Sequence, residues 1–244
     1  MELHGTVAIV TGAAVRLGKA IALSLAEAGC DVCLHYHRSR DDAEETAIEI
    51  RARGARATTV CADLSSPRQA AANVFDAAAE LGPVGILVNS AAIFGAGTLA
   101  DTTDDAWERH FAINLTAPFH LCREFARRHV AGTPGQIVNI ADWRATRPGT
   151  GHLAYTLTKS ALVTLTRILA LELAPDIQVN AVAPGAILPG VDSDAKAFER
   201  LAEQIPLRHT GSPRDVTDAV LYLLRADFVT GEVLHVTGGE ELAP

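Results

Sequence analysis

Short, continuously apolar runs alternate along this chain with longer stretches whose apolar positions recur every three or four residues. A continuous run rich in valine and isoleucine reads as a strand buried on both faces, and the wider spacing as a helix with one buried side. The first run, Thr6 to Val10, ends at Thr11-Gly12; Arg16 to Ala28 then carries Leu17, Ile21, Leu25 and Ala28 at helical spacing and is closed by Gly29. Further strands are predicted at Val32 to Tyr36, Ala57 to Cys61, Val84 to Val88, Gln136 to Ile140, Gln178 to Val182 and Val233 to Val236. Helices are predicted from about Asp42 to Arg53, from Pro67 onward, and over Asp104 to His129, Tyr155 to Leu173 and Pro213 to Leu224. This alternation predicts one α/β domain over residues 1–244, a Rossmann-type doubly wound parallel sheet of about seven strands with helices on both faces. Residues 185–212 break the pattern, with Pro189 and Pro206 inside and Pro184 and Pro213 at the margins. Irregular segments of that length commonly cover a ligand, so a substrate-covering role is expected there.

Charge narrows the function. Lysine and arginine number 21 against 29 aspartates and glutamates, a formal net charge of −8, the wrong sign for a general binder of nucleic acid or of an anionic membrane. No stretch of ~20 residues is free of charge, so no transmembrane helix is expected. Glu2, in a start that runs straight into a strand, predicts no signal peptide. A cytoplasmic protein acting on a small molecule is expected. The four cysteines are too few and too irregular for a disulfide framework. Cys30 and Cys33 lie three apart in an apolar strand and so point to opposite faces; no metal site is expected.

The segment Thr11 to Gly18 joins the first strand to the first helix. Gly12 permits a sharp turn, Gly18 lets the helix pack closely, and the free N–H groups around Arg16 and Leu17 can hold a pyrophosphate. Where an acid usually binds the ribose hydroxyls of NAD, the second strand ends in His35-Tyr36-His37-Arg38-Ser39. Imidazoles, a guanidinium and a hydroxyl suit a 2′-phosphate, and Arg16 adds positive charge, so NADPH is the expected cofactor. Asp41 and Asp42 fit the first turn of the next helix. Farther on, Tyr155 and Lys159 lie one helical turn apart. A phenol with pKa near ~10 exchanges protons poorly at neutral pH, and a neighbouring ammonium is expected to bring it closer.

With these motifs the chain resembles the short-chain dehydrogenase/reductase family over essentially its whole length. The resemblance implies catalytic roles for Tyr155 and Lys159, the lysine also holding the cofactor ribose, and for Asn114, which would fix a proton-relay water. It implies cofactor contacts at Asp63 beside Leu64, at Asn89 in the turn Asn89-Ser90-Ala91-Ala92, and at Pro184, Gly185 and Ile187 beside the nicotinamide. The family's middle loop glycine is replaced by Arg16. The resemblance also implies a homo-oligomer, a tetramer.

The family's catalytic serine, thirteen residues before the tyrosine, is replaced by Asp142. Hydride attack on a ketone builds negative charge that a carboxylate opposes, whereas a protonated C=N bond is a cation that a carboxylate stabilises. That replacement, the arginine in the cofactor loop and the His35 to Ser39 strand end resemble the pteridine reductase and dihydromonapterin reductase branch. There Phe94 would stack a pterin on the nicotinamide, with Asp142 and Tyr155 completing the substrate site. Reduction of a pteridine C=N bond is therefore expected. The rivals are a carbonyl reductase such as a 3-oxoacyl-carrier-protein reductase, with Arg123, Arg127 and Arg128 facing an acidic carrier, and a non-catalytic NADPH sensor, which the intact Asn114, Tyr155 and Lys159 oppose.

Overall fold

The computed structural model describes residues 1–190 and 195–242, with side chains in the second stretch from residue 198 onward. Seven strands, β1 (Val7–Val10), β2 (Asp31–Tyr36), β3 (Ala57–Cys61), β4 (Val84–Asn89), β5 (Gly135–Ile140), β6 (Ile177–Pro184) and β7 (Val233–Val236), pair in parallel in the order β3-β2-β1-β4-β5-β6-β7. The order reverses between β1 and β4, which opens a crevice at the carboxyl ends of those strands.

Side chains alternate across the sheet. Ala8 and Val10 of β1 join Ile21 and Leu25 of α1 (Arg16–Glu27), Ile50 of α2 (Arg40–Ala52) and Val216, Val220 and Leu223 of the helix Pro213–Arg225. Ile9 enters the opposite cluster, with Val74 and Phe75 of α3 (Pro67–Ala78) and Leu121 and Phe125 of the helix Ala117–Arg128. Each buried aliphatic or aromatic side chain contributes about 1.5–3 kcal/mol to the sandwich. Cys30 falls in the first cluster and Cys33 in the second, so the pair is split by the sheet.

The helix expected over Asp104 to His129 is not continuous. It divides into α4 (Asp104–Phe111), a π-turn (Ala112–Thr116) and α5 (Ala117–Arg128). One widened turn leaves the apolar spacing on either side almost intact, so periodicity does not reveal it. Asn114 lies buried at its centre. On that side follow a 3₁₀ turn (Trp143–Ala145) and α6 (Leu153–Glu172). Within the segment expected to be irregular, α7 (Ala195–Leu201) forms before α8 (Pro213–Arg225); residues 191–194 of it lie outside the described residues. No helix among the described residues is long and apolar enough to cross a membrane.

Candidate active site

The crevice at the β1/β4 reversal holds a cavity of about 630 Å³. Gly12, at its base, has φ +65°, and a Cβ there would lie 3.0 Å from the Ala91 Cα; a Cβ on Gly18 would collide with the Gly12 carbonyl. Backbone thus forms the cradle because side chains have no room. Arg16 adopts φ 55°, a left-handed conformation that costs a non-glycine residue about 1–2 kcal/mol, and its Nη2 donates to the Pro189 carbonyl at 2.6 Å. The loop keeps a strained residue whose side chain spans to the expected substrate-covering segment.

His35 does not serve as expected. It is 2% exposed; its Nδ1 accepts the Gly12 N–H at 3.2 Å and its Nε2 lies 3.0 Å from the Ala62 carbonyl. Accepting at one nitrogen and donating at the other requires the neutral ring, and burial pushes its pKa down to about 4. His35 fastens the glycine turn to β2 and has no nitrogen left for a phosphate. Exposed side chains that line the cleft include Arg16, His37, Arg38 and Arg109, while Ser39 lies just beyond, at the start of α2. His37 stands 3.8 Å from Asp63. The Ser65 backbone N–H and hydroxyl hold the Asp63 carboxyl below the usual carboxylate range, helped by His37 and Arg109. Leu64 lines the same wall, as does Arg109 of α4, which the sequence reading missed. Its only signal was Ile113, one turn on, facing the same cleft.

The Asn89 side chain is held within the protein, just before Ser90, Ala91 and Ala92, which line the cleft. It is 3% exposed, and its amide donates to Asn139 Oδ1 at 2.8 Å, Asn139 in turn donating to Thr166 at 2.9 Å. These groups form a buried brace between β4, β5 and α6; the Asn89 amide nitrogen also donates to Cys122 Sγ at 3.5 Å, and its Oδ1 is buried without a hydrogen-bond partner. Asn114 is engaged on both sides of its amide: Oδ1 accepts the Ile93 N–H and Nδ2 donates to the Ile93 carbonyl, each at 2.9 Å. The π-turn thereby grips the segment that carries Phe94.

Tyr155 and Lys159 emerge from α6, 6% and 3% exposed. The Tyr155 hydroxyl donates to Asp142 Oδ2 at 2.9 Å, and Lys159 Nζ donates to the Ile140 carbonyl at 2.6 Å. Burial, followed by the charge and the hydrogen bond of Asp142, raises the Tyr155 pKa well above its ordinary value. The lowering expected from Lys159 is not seen: the charge that opposes the rise is that of Arg144, while Lys159 Nζ lies 5.8 Å from the ring centroid. Lys159 itself is brought down to about 8 by burial, against the Asp142 charge.

Asp142 begins the 3₁₀ turn. Its Oδ1 accepts the Arg144 N–H at 2.8 Å and faces the Arg144 guanidinium at 3.5 Å; every partner is a donor. Ser160 ties this turn to α6 through the Ala145 carbonyl at 2.8 Å. Phe94 is not core: it is 58% exposed, edge-on to Tyr155 at 4.7 Å and stacked on His152 at 4.3 Å. His152, also missed from sequence, is the residue just before α6, bridged to Gly97. Its Nδ1 lies 3.0 Å from the Gly95 carbonyl, which steadies the Phe94 loop. Pro184 ends β6, Gly185 follows it beside Thr237 and Glu240, and the Ile187 side chain packs into the core.

Three comparisons place this geometry among known proteins. A family profile described as enoyl-(acyl carrier protein) reductase matches residues 12–241. A short-chain type dehydrogenase/reductase of Picea abies is 37% identical, the match covering 98% of this chain and 93% of the relative. A 3-oxoacyl-[acyl-carrier-protein] reductase of Staphylococcus epidermidis is 32% identical, covering 95% and 97%. Among solved structures, FolM alternative dihydrofolate reductase 1 of Brucella canis, complexed with NADP, superposes with a TM-score of 0.91 at 34% identity, covering 100% of this chain and 96% of that one.

Proposed function

The chain belongs to the short-chain dehydrogenase/reductase family, and within it we propose an NADPH-dependent reductase of pteridine-type C=N bonds, converting dihydropterin to tetrahydropterin. The observation that carries this reading is the Asp142 carboxylate in contact with the Tyr155 hydroxyl at 2.9 Å. The likeness to a dihydrofolate reductase solved with NADP supports it, since dihydrofolate is itself a pteridine with a reducible C=N bond.

The crevice fits the cofactor because its floor is backbone that a Cβ would fill and its outer wall carries exposed positive charge. Gly12, Arg16, Leu17 and Gly18 would hold the pyrophosphate; His37, Arg38 and Ser39 the 2′-phosphate; Asp63 and Leu64 the adenine; Lys159 the ribose. Pro184, Gly185 and Ile187 would border the nicotinamide. When bound, NADPH supplies the hydride.

Reduction of C=N also requires a proton at nitrogen. Tyr155 retains its proton at neutral pH and already shares it with Asp142. A ring nitrogen seated against Asp142 receives that proton along this pair, and the carboxylate stabilises the cationic form. Lys159 supports the tyrosine from the buried side, Asn114 fixes the segment beneath the substrate, and Phe94 presents a ring face on which a flat heterocycle stacks. The Arg16 bond to Pro189 supports a covering role for the segment that begins at Gly185. An exposed apolar face of α5 and α6, including Phe119, Leu165 and Ile168, supports assembly as a homo-oligomer, with a tetramer as the expected form.

Carbonyl reduction is the second reading, favoured by the Staphylococcus relative's activity. It requires a neutral donor where Asp142 accepts. The deciding experiment is NADPH oxidation with dihydrobiopterin, dihydromonapterin, dihydrofolate and an acetoacetyl thioester. Turnover of the pterins supports the proposal; turnover of the thioester alone overturns it.

A further inference from the structure

Asp142 divides its two oxygens between two partners. Oδ2 accepts the Tyr155 hydroxyl at 2.9 Å, while Oδ1 accepts the Arg144 N–H at 2.8 Å and faces the Arg144 guanidinium at 3.5 Å. The backbone contact is made by the 3₁₀ turn itself, in which Asp142 is the extended residue before Trp143 and Arg144. The Arg144 guanidinium rests on the Trp143 ring at 4.7 Å, a cation–π contact that limits where the side chain can go. Both members of the ion pair are only partly exposed, so solvent and salt screen them less than a surface pair.

Proton delivery leaves a charge behind. When the Tyr155 proton passes to the substrate, directly or through Asp142, the O–H electron pair stays on the phenol oxygen. A phenolate then lies in contact with a carboxylate, and in a largely buried site two such charges oppose the step unless cations compensate them. Two cations are placed near the pair. Lys159 of α6 donates to the Ile140 carbonyl at 2.6 Å, and burial brings it down to about 8, so its charge fades as pH rises past neutrality. Arg144 stays charged throughout the working range. Its charge also opposes the rise in the Tyr155 pKa. From the C-terminal 3₁₀ turn (Glu240–Leu242), Glu240 feels Arg144, Asp142 and Glu241 together; burial pushes its carboxyl up, and its Oε2 accepts the Ala186 N–H at 2.9 Å.

We propose that Arg144 is a positioning residue for proton transfer: braced on Trp143, it fixes Oδ1 of Asp142 so that Oδ2 stays aimed at Tyr155, and its charge compensates the phenolate and carboxylate left when the proton departs. The inference rests on Tyr155 as the proton donor. It holds for a C=N or a C=O acceptor, because reduction of either leaves the same phenolate beside Asp142.

The test is steady-state kinetics of Arg144→Gln with the dihydropterin or acetoacetyl thioester that the wild type reduces, beside NADPH binding followed by nicotinamide fluorescence. Arg144→Gln should lower kcat by about ten-fold, from loss of one charge-assisted contact, with KM and the NADPH Kd little changed. The solvent isotope effect on kcat should rise, because proton transfer then limits turnover more. Arg144→Lys keeps the charge and should retain most of kcat, and added methylguanidinium should restore part of what Arg144→Ala loses. If Arg144→Gln folds poorly, Arg144→Met, which keeps a long side chain against Trp143, replaces it with the same expectations. Unchanged kcat and isotope effect overturn the inference, as do equal losses in the glutamine and lysine variants without rescue by methylguanidinium. A loss confined to KM or to NADPH affinity assigns Arg144 to binding and overturns it as well. Turnover of the thioester alone overturns pteridine reduction and leaves this test in force, whereas full kcat in Tyr155→Phe overturns the donor reading and the inference with it.

Discussion

On the β1–β2 side of the cleft the charged side chains stand in solvent and the buried polar one, His35, is neutral. The side chains of His37 and Asp63 are 46% and 48% exposed, and Arg38 is exposed beside them. On the β5–α6 side the arrangement is inverted: Lys159 is 3% exposed, Tyr155 6%, and Asp142 bonds the tyrosine directly. Exposed charges are screened and act nearly independently, so each selects a ligand by a modest amount. Buried groups in contact set one another's proton affinity, so changing one alters the whole set. On the proposed function, the exposed side would hold the cofactor and the buried side would move the proton.

The sharpest way to break that contrast is Tyr155→Phe. If the buried pair delivers the proton, kcat with dihydropterin should fall by about 10²–10⁴, with NADPH affinity little changed. Adding Asp142→Asn should then cost far less than it does alone, because both act on one proton. Additive losses in steady-state kinetics would show two independent groups.

A smaller effect belongs to the exposed side. Arg38→Asp should reduce the NADPH/NADH preference by about ten-fold through loss of one charge-assisted contact. An unchanged preference would remove Arg38 from the 2′-phosphate site. Phe94, between the two sides, should matter less still: Phe94→Ala should raise the pterin KM several-fold, from stacking worth about 0.5–1.5 kcal/mol. Normal pterin kinetics in the folded variant would leave Phe94 as packing for His152 alone.

The smallest effect is a shift in pH dependence. Lys159 is charged below about 8 and loses its proton above it, while Tyr155 titrates well above 10, so kcat/KM should fall as pH rises through about 8. The Asp142 charge raises the Lys159 pKa. Asp142→Asn should therefore move this alkaline limb to lower pH in whatever activity remains. A limb that stays in place would detach Lys159 from the Asp142 pair.

The strands were legible because a sheet covered on both faces demands mostly apolar runs, as in β1 and β4, and even β3, less buried at the edge, keeps β-branched residues. The Tyr155–Lys159 pair was legible because helical spacing fixes the face they share. The π-turn was not, since a single widened turn shifts the periodicity too little to notice. His35 misled because it has the chemistry of a ligand contact, and only its neighbours in space, the Gly12 N–H and the Ala62 carbonyl, decide that it braces the scaffold. Arg109 was missed because it enters the cleft through a helix face whose orientation depends on tertiary packing, and His152 because its place beside Phe94 comes from a bridge to Gly97 that no local pattern shows.

The central claim is that Asp142 suits this site to C=N rather than C=O. The most direct measurement is kcat/KM for a dihydropterin and for an activated ketone, in the wild type and in Asp142→Ser. The account predicts that the serine variant loses about 10²-fold on the dihydropterin while holding or gaining activity on the ketone, since a neutral donor then faces the developing oxyanion. A wild type that reduces the ketone but no pterin, with a serine variant that changes neither activity, would contradict it.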